Sequence, residues 1–131
     1  MSMEESEKEY WLVCGTQIKG TGYCDLVNNE LDRAYYARLN LKERGSDWKP
    51  TILEGCCLNS ADVFAELWAK KREIPIEHYP AQRHHHLKRN IEMVARATKV
   101  YAFWNLYSYG TAHTIAHAVM KGIPIRIIRI K

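Results

Sequence analysis

The sequence predicts an α/β fold, a parallel five-stranded sheet with helices on both faces in a three-layer sandwich. Two observations carry this. Five short apolar runs alternate with four segments of helical periodicity, in the order β-α-β-α-β-α-β-α-β. The connectors are short, so each helix serves as a crossover between strands that run the same way. The 131 residues suffice for one domain with a real core. That domain is expected over residues 10–131, after a flexible acidic N-terminus at residues 1–9.

Tyr10–Cys14 is a compact apolar run ending at Gly15, and reads as a strand buried on both faces. Gly15 to Tyr23 is a glycine-rich loop. Asp25 can cap the helix that follows, in which Val27, Leu31, Ala34 and Leu41 keep helical spacing as far as Lys42. Arg44 to Lys49 is a polar turn. Pro50 to Gly55 is the second strand, and it ends in the turn Gly55-Cys56-Cys57-Leu58-Asn59. Ser60 or Asn59 caps a second helix with the stripe Phe64, Leu67, Trp68 and Lys71. Ile74 to Tyr79 is the third strand. Pro80 to His86 is a loop, and a third helix begins near Leu87 with Ile91, Val94 and Ala95 inward. Lys99 to Trp104 is the fourth strand. After the polar turn Asn105 to Tyr109, a helix entered at Gly110-Thr111 buries Ala112, Ile115, Ala116 and Val119 and stops at Gly122. Ile123 to Ile130 is the last strand. The sequence holds no repeat, no low-complexity segment and no second domain.

Composition excludes several classes. An apolar fraction of 47% and a charged fraction of 26% are ordinary for a globular chain. No apolar run approaches the length that crosses a bilayer. Glu4, Glu5, Glu7 and Glu9 stand where a secretory signal carries positive charge, so a cytoplasmic protein is expected. The net charge of +4 is too mild to argue for nucleic acid by itself. It is concentrated at Arg83, Lys88, Arg89, Arg96 and Lys99, with a second group at Lys121, Arg126, Arg129 and Lys131. Cys14, Cys24, Cys56 and Cys57 form no CxxC pair, so neither a zinc knuckle nor a disulfide framework is expected. Cys14 reads as a small buried residue. Cys56 and Cys57 sit in a turn where either could approach a ligand.

In open α/β sheets ligands bind beyond the C-terminal ends of the strands, where the strand order reverses. The strand positions put four groups there: Gly15, Thr16 and Gln17; Gly55 to Asp62; Asn105 to Thr111; and Arg83 to Asn90. Gly15 and Gly20 have the spacing of a P-loop, but Thr21-Gly22 stands where Lys-Ser/Thr is required, which rejects an ATPase. No GxGxxG is present. The first loop is either a turn needing positive φ or a ligand contact, and its place at the sheet edge favours contact. Gly110 and Thr111 open a helix, where N–H groups and the helix dipole suit a phosphate. Arg89 can fork onto that anion and Asn90 can hydrogen-bond a ribose or base, though both types are also common on surfaces. Trp104 or Tyr107 can stack on a base or simply pack. The three consecutive side chains of His84-His85-His86 do not easily converge on one ion in an extended or helical backbone, and the triplet reads as a solvated loop or as one histidine on a phosphate. His113 and His117 are i,i+4, but HTIAH lacks the glutamate of a metalloprotease helix. No metal and no cofactor are expected.

Together these turns resemble those of the SLOG superfamily, and within it the small YspA-like proteins. The resemblance runs from Trp11 to Ile130. Gly15-Thr16-Gln17 matches a Gly-Ser/Thr-Arg turn, and Gly55 to Asp62, which includes Ser60, matches a GGAxGAD-type turn. Arg89-Asn90-Ile91-Glu92-Met93 matches an RNxxM helix start, and Ser108-Tyr109-Gly110-Thr111 an SxGT turn. Gln17 replaces the usual arginine, and Cys56, Cys57 and Asn59 replace small residues and glycine. The resemblance implies a Rossmann-like domain that binds a nucleotide or nucleotide-derived signalling molecule. The implied ligand residues are Gly15, Thr16, Gln17, Gly55, Ser60, Asp62, Arg89, Asn90, Trp104, Ser108, Gly110 and Thr111.

Related Lonely Guy enzymes hydrolyse the N-glycosidic bond of nucleoside monophosphates, and they carry PGGxGT followed closely by glutamate. Here Asn105 to Tyr109 lacks the glycines, and Ala112-His113-Thr114 supplies no glutamate. A nucleoside-phosphate N-glycosidase would need Glu92 or Asp62 as its catalytic acid. A protein- or nucleic-acid-binding module using the basic stretch from Arg83 to Lys99 is the third reading. A homo-oligomer is expected, because related domains pair through helices.

Overall fold

β1 (Tyr10–Gly15) is the middle strand of an all-parallel sheet with order β3-β2-β1-β4-β5 in the computed structural model of the chain. The structure describes residues 8–18, 23–42, 47–57, 59–82 and 85–131, with side chains left aside at 41–42. The other elements are α1 (Cys24–Lys42), β2 (Thr51–Glu54), α2 (Ala61–Lys71), β3 (Ile76–His78), α3 (His86–Arg96), β4 (Lys99–Trp104), α4 (Tyr109–Lys121) and β5 (Ile125–Arg129). Several sequence features fall outside the described residues. These are the acidic start at 1–7, Gly20 to Gly22 of the first loop, the Leu41 side chain, residues 44–46 of the polar turn, Leu58, Arg83 and His84.

Strand alternation sorts the core into two halves. Trp11, Val13, Ile52, Tyr101 and Phe103 pack with Val27, Leu31, Phe64 and Trp68 of α1 and α2. Leu12, Cys14, Leu53, Val100 and Ala102 pack with Met93, Val94 and Ala118 of α3 and α4. The result is the expected Rossmann-like three-layer sandwich. Burial on both faces explains why β1 and β4 read as continuous apolar runs rather than alternating ones.

Boundaries and faces differ in places. β2, β3 and β5 are each shorter than their apolar runs. Asp25 lies inside the first turn of α1, where its charge suits the dipole. On α2, Leu67 is 50% exposed and Lys71 is exposed, while Ala61, Ala65 and Ala69 take the inward positions beside Phe64 and Trp68. On α3, Ile91 and Ala95 are exposed, and Arg89, Asn90, Met93 and Val94 are buried. On α4, Ala116 and Val119 are exposed, Ala112 and Ile115 half-buried, and Thr111, Thr114 and Ala118 buried. The reason is common to the last two helices: polar residues turn inward where internal partners satisfy them, and the apolar count no longer marks the core face.

Two helix ends are tied down by side chains. Ser60 N-caps α2, its Oγ accepting from Asp62 N at 3.2 Å. Lys121 Nζ donates to the carbonyls of Val94, Ala95 and Ala97 at 2.7–2.9 Å, which closes the C-terminal end of α3. Gly122 ends α4 at φ 81°.

Candidate functional site

β1 and β4 are neighbours, but their chains leave the sheet toward opposite faces, β1 into α1 and β4 into α4. A crevice opens between such strands at their C-terminal ends. Here it is a cleft of about 510 Å³. Gly15, Thr16 and Gln17 line it from β1, Asp62 from α2, Arg89 and Asn90 from α3, and Ser108, Gly110 and Thr111 from α4. Gly55, Ser60 and Trp104 lie outside the lining and support it. Glu92 opens instead onto a separate depression of about 220 Å³ shared with Gln82, His85 and Lys88.

The β1 wall depends on a close approach. A Cβ on Gly15 would lie 2.8 Å from Phe103 O and 3.0 Å from Ala61 Cβ, so any side chain there would push β4 and α2 away. Thr16 N donates to Phe103 O at 2.9 Å, and the Tyr23 hydroxyl donates to Thr16 O. Thr16 Oγ1 donates to Asn105 Oδ1 at 3.2 Å and accepts from Asn105 N at 3.1 Å. The same Oδ1 accepts from the N–H groups of Tyr107 and Ser108 at 2.8 and 2.9 Å. One carboxamide thus holds the first loop to the β4–α4 turn, in which Leu106 takes φ 75°. Ser108 stands at the N-cap of α4 without capping it: its Oγ lies 3.3 Å from Thr111 Oγ1. The Trp104 indole donates to Ser108 O at 3.0 Å from behind. The helix therefore begins at the cleft wall without a side-chain cap from its N-cap residue.

The opposite wall is a buried polar brace. Arg89 Nη1 donates to Gly55 O at 2.6 Å and to Tyr79 O at 3.1 Å, while Nε donates to Asn90 Oδ1 at 2.9 Å. Asn90 Nδ2 donates to Gly110 O at 3.3 Å, which joins the starts of α3 and α4. Asp62 Oδ2 accepts from Gly55 N and Cys57 N at 3.1 and 3.2 Å. The turn these bonds hold has Cys56 at φ 63° and Asn59 at φ 57°, left-handed residues where the matching pattern carries glycine. Burial pushes the Asp62 carboxyl up, against the pull of Cys57 N–H and the Arg89 charge. Burial also raises the Cys14 and Cys57 thiols, with Asp62 adding to both. Neither is a thiolate nucleophile at neutral pH.

Residues beyond the expected set also line the cleft. His86, the last of the histidine triplet, does so, as do Cys57, Asn105 and Tyr107, all within the loops expected at this edge. Cys14 and Thr114 were not indicated by any motif, and Met93 entered only as the last residue of the RNxxM match. Met93 and Thr114 fall one helical turn beyond Arg89-Asn90 and Gly110-Thr111, so i+3/i+4 spacing from the site was the available signal. His113 and His117 are not in the lining, and their rings contact each other at 4.5 Å. Among the described residues of the basic stretch, the side chains are partly spent inside the protein. Arg89 is buried, Arg96 forks onto Glu77 at 2.7 and 3.1 Å, and its guanidinium lies 4.1 Å over the Tyr10 ring.

Fold and cleft define a Rossmann-like α/β protein with a crevice at the reversal of strand order. No protein-family model matches the chain, and no curated protein matches it. Among the described residues no helix is long and apolar enough to cross a membrane.

Proposed function

We propose that this protein binds a nucleotide or nucleotide-derived signalling molecule in the cleft, in the manner its resemblance to SLOG domains implies. The observation that carries the reading is the uncapped start of α4 facing a cleft whose other wall holds the buried Arg89. Helix N–H groups and a fixed positive charge make that end receptive to a phosphate. Arg89 has Nη1 and Nε engaged by the protein, so it supplies charge from the wall. The N–H groups of α4 and the hydroxyls of Ser108 and Thr111 make the direct contacts. Tyr107, 87% exposed at the rim, offers a ring for a base to stack on. Thr16, Gln17 and Asn105 lie where a ribose would reach. The volume suits one such ligand.

Binding is preferred to glycosidic hydrolysis because the carboxylates are badly placed for the latter. Asp62 spends Oδ2 on two backbone N–H groups, and Glu92 faces the other depression. A homo-oligomer remains part of the proposal: Tyr109, Val119 and Met120 leave apolar surface exposed on α4.

Calorimetry and thermal shift against mono-, di- and cyclic nucleotides test the reading. At least one is expected to bind at one per chain, with Thr111→Val weakening it about tenfold, the value of one hydrogen bond to a charged group. If none stabilises the protein, the proposal fails. Release of free base during the titration would replace it with the hydrolase reading.

A further inference from the structure

On the α2 side of the sheet, beyond the cleft, a thiol, an imidazole and a carboxylate converge. Glu54 ends β2, Cys56 follows it in the turn, and His78 ends the neighbouring strand β3. One donor atom from each lies within 4.8 Å of the other two. Cys56 Sγ is 3.6 Å from Glu54 Oε2 and 3.6 Å from His78 Nδ1, and Glu54 Oε2 is in direct contact with His78 Nδ1. Glu66 of α2 brings Oε1 to 3.4 Å from the same nitrogen. We propose that Glu54, Cys56 and His78, with Glu66 as fourth donor, form a zinc(II) site.

Four features point there. Tetrahedral zinc, with Zn–S of about 2.3 Å and Zn–N and Zn–O of about 2.0–2.1 Å, sets its donors about 3.3–3.6 Å apart. The two sulfur edges and the Glu66–His78 edge already have those lengths. The Glu54–His78 edge, now a hydrogen bond, opens to about 3.3 Å when the ion enters.

The outer oxygens are held by other groups. Cys56 N donates to Glu54 Oε1 at 2.7 Å and Lys70 Nζ to Glu66 Oε2 at 2.9 Å, which leaves the inner oxygens turned toward the imidazole. Glu54 is wholly buried, and among the described residues its sole ion-pair partner is His78. Cys56 and His78 are exposed and give the ion a way in.

The same residues do not make a thiol relay. In a nucleophile–imidazole–carboxylate relay the two partners sit on opposite ring nitrogens. Here sulfur and carboxylate meet the same Nδ1. On binding, the Cys56 thiol gives up its proton to solvent, and His78 Nδ1 is freed of its proton so that its lone pair faces the ion. A mixed S, N, O donor set with one soft ligand favours zinc over magnesium or calcium.

The test titrates the metal-stripped full chain with Co²⁺ as a spectroscopic probe, then with Zn²⁺, in the absence of any nucleotide. One equivalent of Co²⁺ is expected to give a thiolate-to-metal charge-transfer band and tetrahedral d–d bands, which Zn²⁺ abolishes. Cys56→Ser removes the charge-transfer band. His78→Ala weakens binding about 100-fold or more, since loss of even an outer partner costs roughly 10–100-fold. Glu54→Gln, nearly isosteric, also weakens it while far-UV circular dichroism reports an intact fold. Cys57→Ser and a His113→Ala/His117→Ala double variant retain the wild-type spectrum and affinity. No charge-transfer band, or a band that survives Cys56→Ser but vanishes in Cys57→Ser, overturns the proposal. So does metal binding that only the His113/His117 variant abolishes.

Discussion

Replacing Gly55 with alanine puts a methyl carbon 2.3 Å from Arg89 Nη1, 2.7 Å from its Cζ and 3.1 Å from Asp62 Oδ2. An exposed arginine would swing aside at little cost. Arg89 is 7% exposed, and its Nη1 is the atom that reaches Gly55 O and Tyr79 O. Making room for the methyl breaks both bonds, each worth roughly 1.5–3 kcal/mol because the donor is charged. Partial relaxation returns some of that, so the expected loss is about 3 kcal/mol. It reads as a fall of about 10 °C in Tm for a chain of this size.

Urea denaturation followed by circular dichroism measures the loss, and a double-mutant cycle assigns it. Arg89→Met keeps the aliphatic stem and removes the obstructing head. In that background Gly55→Ala is expected to cost only a few tenths of a kcal/mol, a coupling of about 2 kcal/mol or more. A single variant that loses under about 0.5 kcal/mol, or one that loses as much without the guanidinium as with it, refutes the reasoning.

Two further outcomes are expected. Lys121→Met retains the stem but leaves the carbonyls of Val94, Ala95 and Ala97 without their ammonium, at a cost of about 2 kcal/mol. Hydrogen exchange that quickens in the last turn of α3 locates the effect, and an unchanged urea midpoint rules it out. Burial raises the Glu54 carboxyl above its ordinary value of 4.5, so in the metal-free protein the folded chain holds that proton more tightly than the unfolded one. The associated stability is complete below the ordinary value and is lost as pH rises through the elevated one. Glu54→Gln is therefore expected to gain on the wild type between the ordinary and the elevated value. Asp62, raised the same way, and Glu66, hydrogen-bonded to Glu54, titrate in both proteins. Parallel Tm curves for the two proteins across that window would contradict it.

Strands and stops were the legible part of this chain. Lys99–Trp104 reads as a strand end to end because both faces are buried, and Gly122 and Ser60 stop and start helices as their chemistry dictates. The helix faces were less legible. Periodicity counts apolar side chains, while α3 and α4 turn Arg89, Asn90, Thr111 and Thr114 inward on hydrogen bonds. The loops that meet at the cleft followed from where the strands end, so most of its lining could be listed in advance. What Arg89 does there could not. Its Nη1 reaches the main-chain carbonyls of Gly55 and Tyr79, and a carbonyl leaves no mark in the residue type. The Glu54, Cys56 and His78 cluster was hidden for a related reason. Residues 22 apart meet only because Glu54 and His78 are paired in register on β2 and β3.

The knot at Asn105 separates two jobs that many binding sites combine. The atoms that fix the gap between the first loop and α4 are a carboxamide, a threonine hydroxyl and main-chain N–H groups. The surface a visitor would meet includes the tyrosine ring at 107 and the imidazole at 86. Tyr107 lends the knot its main-chain N–H and keeps its ring out of it. Under the proposed binding function, exchanging those outer rings would change what the mouth prefers, while the scaffold that keeps it open is left alone.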